Sequence, residues 1–403
     1  MARKNKIKRY GKIYRTHSRS SRVTLLSVIV TSAVVLLLAF FGTIIYEPIY
    51  NFLINYSNSS QSPGISEILN SSSSSEPPAG NSSQVASQPP EPVKPVYLTH
   101  GLYVQSSELK AGLSDVAKLV AGYKQYNINE IVIDLKNDEG NILYMSDLES
   151  VKTAGAQVTN AIDLAQFATI AKSNGIKVTG VISAFRDPIA PRKIKDSSIK
   201  YMQTDYNWLD KAAEHGGKPW LNPYSPNARQ YIADIANEAV SKGVETIIIT
   251  NVNFPPVYSL ERANFGYDSA AVAKPAILKS FMDNVTNTVK ANGGKVMMYA
   301  SAQELVGGGI EKYGDNPLKI SSQIAAVYSP SQFGGKFAVN DFAVDAAAMT
   351  PAQIVDVTAK YIAKLLPAQA KILPVVKAGT PEETAAIINA LGQNGLNEYV
   401  IIV

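Results

Sequence analysis

One local phrase recurs along the second half of the chain and constrains its fold more than any other feature. It reads Ser173-Asn174-Gly175-Ile176-Lys177-Val178, Ser241-Lys242-Gly243-Val244-Glu245, Ala291-Asn292-Gly293-Gly294-Lys295-Val296 and Gln393-Asn394-Gly395-Leu396-Asn397. Each copy follows a helix-like stretch and precedes an apolar run. A glycine just past a helix adopts the left-handed conformation that other residues resist, and so stops the helix. Each phrase is therefore a helix-to-strand junction. Strands that alternate with helices build parallel sheets, and eight such units close into a barrel whose functional face lies at the C-terminal ends of its strands.

Charge divides the chain. Residues 1–22 hold nine Lys and Arg and no acid, so the overall +5 leaves a net −4 on the rest. A nucleic-acid-binding domain would carry its positive charge on the fold itself, so no nucleic-acid partner is expected. Residues 23–46 form a run of 24 without a charge, rich in Val, Leu, Ile and Phe. As a helix this run spans about 36 Å, enough to cross a hydrocarbon core of about 30 Å. The basic tail before it predicts a cytoplasmic N-terminus and a single-pass anchor, with the rest of the chain outside the membrane. A cleaved signal peptide would show a shorter apolar region and an Ala-x-Ala-like site. Residues 47–95 are rich in Ser, Pro, Asn and Gln and read as a disordered linker, leaving 96–403 as the folded domain. With no Cys and only three His, far apart in the sequence, no metal or other cofactor is expected.

Eight strands are predicted, over 101–104, 130–135, 177–183, 246–250, 295–300, 324–328, 371–376 and 399–403. Helix-like segments fall at 107–123, 161–173, 226–241, 270–291, 351–366 and 381–393, and the fifth-to-sixth connection is the least clear. The expected fold is an α/β, (βα)8 barrel of the TIM type ending at its eighth strand. A doubly wound open sheet is the alternative, but no Gly-x-Gly-x-x-Gly follows an early strand.

The strand ends supply the candidate site. Asp134 and Lys136 alternate onto one face of the second strand, and a buried Asp134 needs a partner, for which Lys136 is the nearest choice. The pair reads either as charge in a sugar pocket, with Asp138 just beyond, or as a structural ion pair. After the third strand, Arg186 and Asp187 either bind hydroxyls or brace a loop. Trp220, Asn222 and Tyr224 precede a helix that Asn222 or Ser225 caps, and their aromatic rings suit either a sugar face or the core. Thr250, Asn251 and Asn253 make the fourth strand's tip polar but free of carboxylate, and Tyr328 and Gln332 mark the end of the sixth.

Five phrases carry a resemblance: Gly101-Leu102-Tyr103-Val104, Val132-Ile133-Asp134-Leu135-Lys136-Asn137-Asp138, Phe185-Arg186-Asp187-Pro188, Trp220-Leu221-Asn222-Pro223-Tyr224 and Asn253-Phe254-Pro255. Tyr328 with Pro330-Ser331 adds to them. In this order they make residues 96–403 resemble the glycoside-hydrolase-like domain family of bacterial surface proteins, barrels distantly related to the amylase type. The resemblance implies a glycan ligand. It also exposes departures. The family's fourth strand usually ends Phe-Asp-Tyr-(Val/Ile)-Arg-Phe-Pro, where this chain has Thr250 for the Asp and Asn253 for the Arg. The His of a Tyr-Pro-Ser-His-Tyr phrase aligns with Gln332. An Arg-Pro-Trp-Leu-Gln phrase is reduced to Leu373-Pro374-Val375-Val376-Lys377. Glycoside hydrolysis usually needs two carboxyl groups, about 5–5.5 Å apart for retention or about 6.5–9.5 Å for inversion. Thr250 cannot replace one of them. Asp134 and Asp187 are the catalytic candidates that remain, with Asp138 and Glu304 as further carboxylates. Three readings follow: an apparently degenerate barrel that binds cell-wall or extracellular glycan with weak or no hydrolysis, a hydrolase with relocated carboxylates, or a structural or assembly protein with partners in the cell envelope.

Overall fold

The computed structural model describes residues 98–104, 126–255, 258–267, 269–377 and 379–402. The basic tail, the 23–46 apolar run, the linker and the 107–123 segment lie outside the described residues. Eight parallel strands close a barrel: β1 (His100–Val104), β2 (Glu130–Lys136), β3 (Lys177–Ser183), β4 (Thr246–Thr250), β5 (Lys295–Ser301), β6 (Gln323–Tyr328), β7 (Lys371–Lys377) and β8 (Tyr399–Ile402). Closure is direct. β1 pairs with β8 on one side (Gly101 opposite Val400) and with β2 on the other (Gly101 opposite Glu130). The barrel with its intervening helices is the expected TIM-type fold.

The helices are α1 (Glu149–Ala154), α2 (Leu164–Ser173), α3 (Pro226–Ser241), α4 (Lys274–Ala291), α5 (Ala302–Leu305), α6 (Pro351–Leu365) and α7 (Pro381–Gln393). Their ends explain the repeated phrase. Gly175, Gly243, Gly293 and Gly395 have φ of 71°, 101°, 80° and 77°. In all four junctions an amide reaches back five residues to a helix carbonyl: Ile176 to Ala171, Val244 to Ala239, Gly294 to Val289 and Leu396 to Leu391. That bond satisfies a carbonyl the helix would otherwise leave free and turns the chain into the next strand. Ser225, rather than Asn222, caps α3 by accepting from the amide of Ala228. The unclear fifth-to-sixth connection holds only the single-turn α5 and two 3-10 turns.

Three strand pairs embellish the barrel, none anticipated from the sequence. Ile142–Tyr144 adds antiparallel to β2 and pairs in turn with Gln157–Ile162, which displaces the start of α2 to Leu164 behind the capping Asp163. Lys200–Tyr201 pairs with Ala263–Asn264, joining the β3–α3 and β4–α4 loops. Lys336–Val339 and Phe342–Asp345 form a hairpin after β6.

Both faces of the barrel wall are apolar, as expected for strands covered by helices outside and by each other inside. The interior layer contains Val132, Ile248, Met297, Ala325, Val327, Leu373, Val375 and Val400. The outer layer contains Leu102, Ile131, Ile133, Ile182, Ile247, Ile249 and Met298, packed beneath helix residues such as Ile232, Phe281 and Ile387. One glycine is fixed by this packing. The pairing of β2 with β3 shifts register between Asp134 and Lys136. Leu135, at that irregularity, occupies the space beside Gly180, where an added Cβ would lie 2.2 Å from Leu135 Cδ1. Gly180→Ala is therefore expected to destabilise the protein by about 1–3 kcal/mol, read as a lower denaturation midpoint. An unchanged midpoint would contradict this account of the wall.

Candidate functional site

The C-terminal ends of the strands open into a cavity of about 580 Å³. Its depth is apolar, with Val132, Val181, Ile248, Val375, Val400 and Ile402, and its upper part is polar. Strand alternation produces this division, because the inward positions pass from core to rim every second residue.

On one side, Tyr103 of β1 donates a 2.5 Å hydrogen bond to Asp134 Oδ2 of β2. Burial pushes the Asp134 carboxyl above the ordinary carboxylate range. The Tyr103 bond pulls it down, and the nearby charge of Asp138 adds to the rise. Burial likewise raises Tyr103, reinforced by its bond to Asp134. Lys136 does not partner Asp134 as the sequence suggested. The register shift redirects it, and its Nζ donates to Ser183 O at 2.8 Å and stands 3.0 Å from Asp187 Oδ2.

Asp187 is fully buried and lies outside the cavity lining. Its Oδ1 accepts from the amides of Ile189 (2.8 Å) and Ala190 (2.9 Å). Gly140, at φ +81°, leaves room for it, since a Cβ there would lie 2.3 Å from Oδ1. Arg186 pairs with Asp138 at 2.8 Å on the half-exposed rim.

Trp220, Asn222 and Tyr224 do not reach the cavity. Trp220 donates to Asp210 Oδ2, Asn222 to Phe265 O, and Tyr224 to Val272 O. They tie the β3–α3 loop to neighbouring chain, and the rings of Trp220 and Tyr224 are buried. Tyr328 is buried on the outer face of β6. The structure does bring Thr250, Asn251, Asn253 and Gln332 to the cavity with Asp134, Lys136 and Asp138. Asn251, with φ of 52°, donates to Ser183 Oγ at 2.9 Å.

The far wall comes from residues the sequence reading passed over or mentioned only as spare carboxylates. Glu304 Oε2 accepts from the Ser301 amide (2.8 Å) and from Tyr313 Oη (3.1 Å), while Oε1 forms an ion pair with Lys312. Ser301-Ala302-Gln303-Glu304 is a capping box, a spacing legible in sequence. Tyr299, Ser301 and Tyr103 sit at inward positions that alternation alone would have marked. Lys312 and Tyr313 arrive from a loop and carry no sequence signal.

Fold and cavity together define an α/β barrel with an acid-bearing polar pocket at its functional face. The chain belongs to the family described as "Putative glycosyl hydrolase domain", whose model matches residues 101–400. Among solved structures, it is similar to the PgaB (BpsB) glycoside hydrolase domain from Bordetella bronchiseptica, at 13% identity and a TM-score of 0.55, covering 76% of this chain and 94% of that one. A hypothetical protein from Ruminiclostridium thermocellum is 23% identical over 49% of this chain and 96% of its own, with a TM-score of 0.42. The β-amylase catalytic domain from Paenibacillus polymyxa is 8% identical, with a TM-score of 0.45, covering 75% and 91% of the two chains. At these identities the likeness concerns the fold. No curated protein matches the chain.

Two outcomes are expected. Lys136→Met leaves Asp187 buried without its cation and should cost about 3–5 kcal/mol, whereas replacing both partners with apolar residues should recover much of that loss. A double-mutant cycle by chemical denaturation checks this, and a silent Lys136→Met would contradict it. Asp134 behaves oppositely. Its raised carboxyl holds a proton better folded than unfolded, so its favourable contribution is present below the ordinary carboxylate pKa and lost as pH rises through the folded value. Asp134→Asn should therefore be more stable than wild type at about pH 8, with the gain fading towards about pH 4. Lower stability of the variant at the higher pH would contradict the burial argument.

Proposed function

We propose that the barrel binds cell-wall or extracellular glycan and hydrolyses it weakly or not at all. It is held outside a bacterial membrane by the uncleaved helix of residues 23–46, with the linker of residues 47–95 between. Membership of the glycosyl hydrolase family supports a glycan ligand. So does the cavity, whose apolar depth suits sugar C–H faces while hydroxyls and amides of Tyr103, Thr250, Asn253 and Ser301 line its polar part.

One observation carries the weak-hydrolysis reading: apart from Asp134, the carboxylates at or beneath the mouth already hold cations. Asp138 holds Arg186, Glu304 is held through both oxygens, and Asp187 is locked beneath the wall. The β4 end, where the resemblance implies a catalytic Asp, presents Thr250. A nucleophile or base needs a free oxygen directed at the anomeric carbon or its attacking water.

A second reading, an active hydrolase, is favoured by Asp134, which burial disposes to hold a proton. A carboxyl kept protonated by its surroundings is what a glycosidase uses as general acid. The discriminating experiment is reducing-end release by the full-length protein, in a sugar-free detergent, on cell-wall polysaccharide and α- and β-glucans, beside Asp134→Asn. We expect no release above background from either protein. Release by the wild type that falls about 10²-fold or more in the variant would establish the hydrolase instead.

A further inference from the structure

Matching the charged groups of the cavity to their partners leaves one cation over, and one buried acceptor beside the exposed hydroxyls also lacks a donor. Lys136 is neutralised by Asp187, Lys312 by Glu304, and Asp138 by Arg186. Asp134 receives the hydroxyl of Tyr103. Lys377, at the end of β7, lines the cavity and forms no ion pair among the described residues. Gln332, just after β6, lines the same cavity, and its Oε1 is buried with no hydrogen-bond partner among the described residues. Strands β6 and β7 are direct neighbours, paired from Gln323–Lys371 to Tyr328–Val376. The unmatched cation and the unmatched acceptor thus stand on one wall.

A buried acceptor without a donor is costly. It implies a ligand that brings an N–H or O–H to that point. Lys377, exposed at the end of the neighbouring strand and lining the same cavity, offers its ammonium to an anion on that ligand. An amino sugar would instead need a charged carboxylate to spare, whereas Asp138 and Glu304 already hold cations and Asp134 accepts from Tyr103 where burial disfavours its charged form. Resting on the glycan-binding reading above, we infer that this cavity takes an acidic sugar, with Lys377 holding its carboxylate and Gln332 accepting from a neighbouring hydroxyl or amide.

The test is titration calorimetry of the full-length protein, in sugar-free detergent, with hexamers of galacturonate, glucose and glucosamine. The galacturonate hexamer should bind about tenfold or more tightly than the glucose hexamer, the scale of one charge-assisted hydrogen bond. Lys377→Met should remove about that factor for galacturonate alone, and Lys377→Arg should retain it. Gln332→Leu should weaken binding by about threefold to tenfold. Thermal denaturation of each variant shows that it is folded. Equal affinity for galacturonate and glucose, or tighter binding of glucosamine, would overturn the acidic-sugar inference while leaving glycan binding intact. Binding of no hexamer by a folded protein would overturn both.

Discussion

The ion pair between Lys136 and Asp187 is the contact on which the mouth of this barrel depends. Two opposite charges lie fully buried at 3.0 Å, where neither tolerates the loss of the other. The lysine also binds the carbonyl that ends β3, and the aspartate gathers the amides of the loop that follows. One buried contact therefore fixes the end of β2, the end of β3 and the long loop towards α3. Gly140 completes it by leaving the carboxylate room. Because Lys136 is occupied there, Asp134 turns to Tyr103 and takes the desolvated position that gives the cavity its acidic side. A charge that would read as catalytic is thus bound into structure, and its neighbour along the strand becomes the group that faces a ligand.

The cavity itself is a consequence of strand periodicity. On several strands the inward series passes from apolar to polar, as from Val132 to Asp134, Val181 to Ser183, Ile248 to Thr250 and Val375 to Lys377, so the barrel opens onto hydroxyls, amides and carboxyls within a few residues. The carboxyls are not left idle. Glu304 closes a capping box at the start of α5 while its other oxygen holds Lys312, so the short fifth-to-sixth connection is braced by a residue that also lines the mouth. A pocket built this way is preorganised for binding. Glu304 gives up, in the same measure, the free oxygen that bond cleavage would require.

The fold was legible because helix stops and parallel strands leave strong local marks. Gly175, Gly243, Gly293 and Gly395 announce four junctions, and apolar runs such as Ile247-Ile248-Ile249 announce the strands between. The site was legible only in part. Thr250, Asn251, Asn253, Gln332 and Asp134 were found because strand ends point to them. Trp220, Asn222 and Tyr224 were drawn in by their chemistry alone, yet they pin loops together, since an aromatic ring in a long loop gains more from burial than from exposure. The partner of Lys136 was misjudged because a register shift, which breaks the period of two, has no signature in residue types. Lys312 and Tyr313 reach the cavity through loop geometry that only tertiary packing sets.

The central claim is that the mouth of this barrel holds a glycan and cuts it weakly or not at all. Its most direct test is a crystal structure of the protein after brief incubation with a sugar hexamer. The account requires an intact chain seated in the cavity, against Asp134, Thr250 and Glu304. An empty cavity with the sugar elsewhere, or a cleaved product in its place, would contradict it.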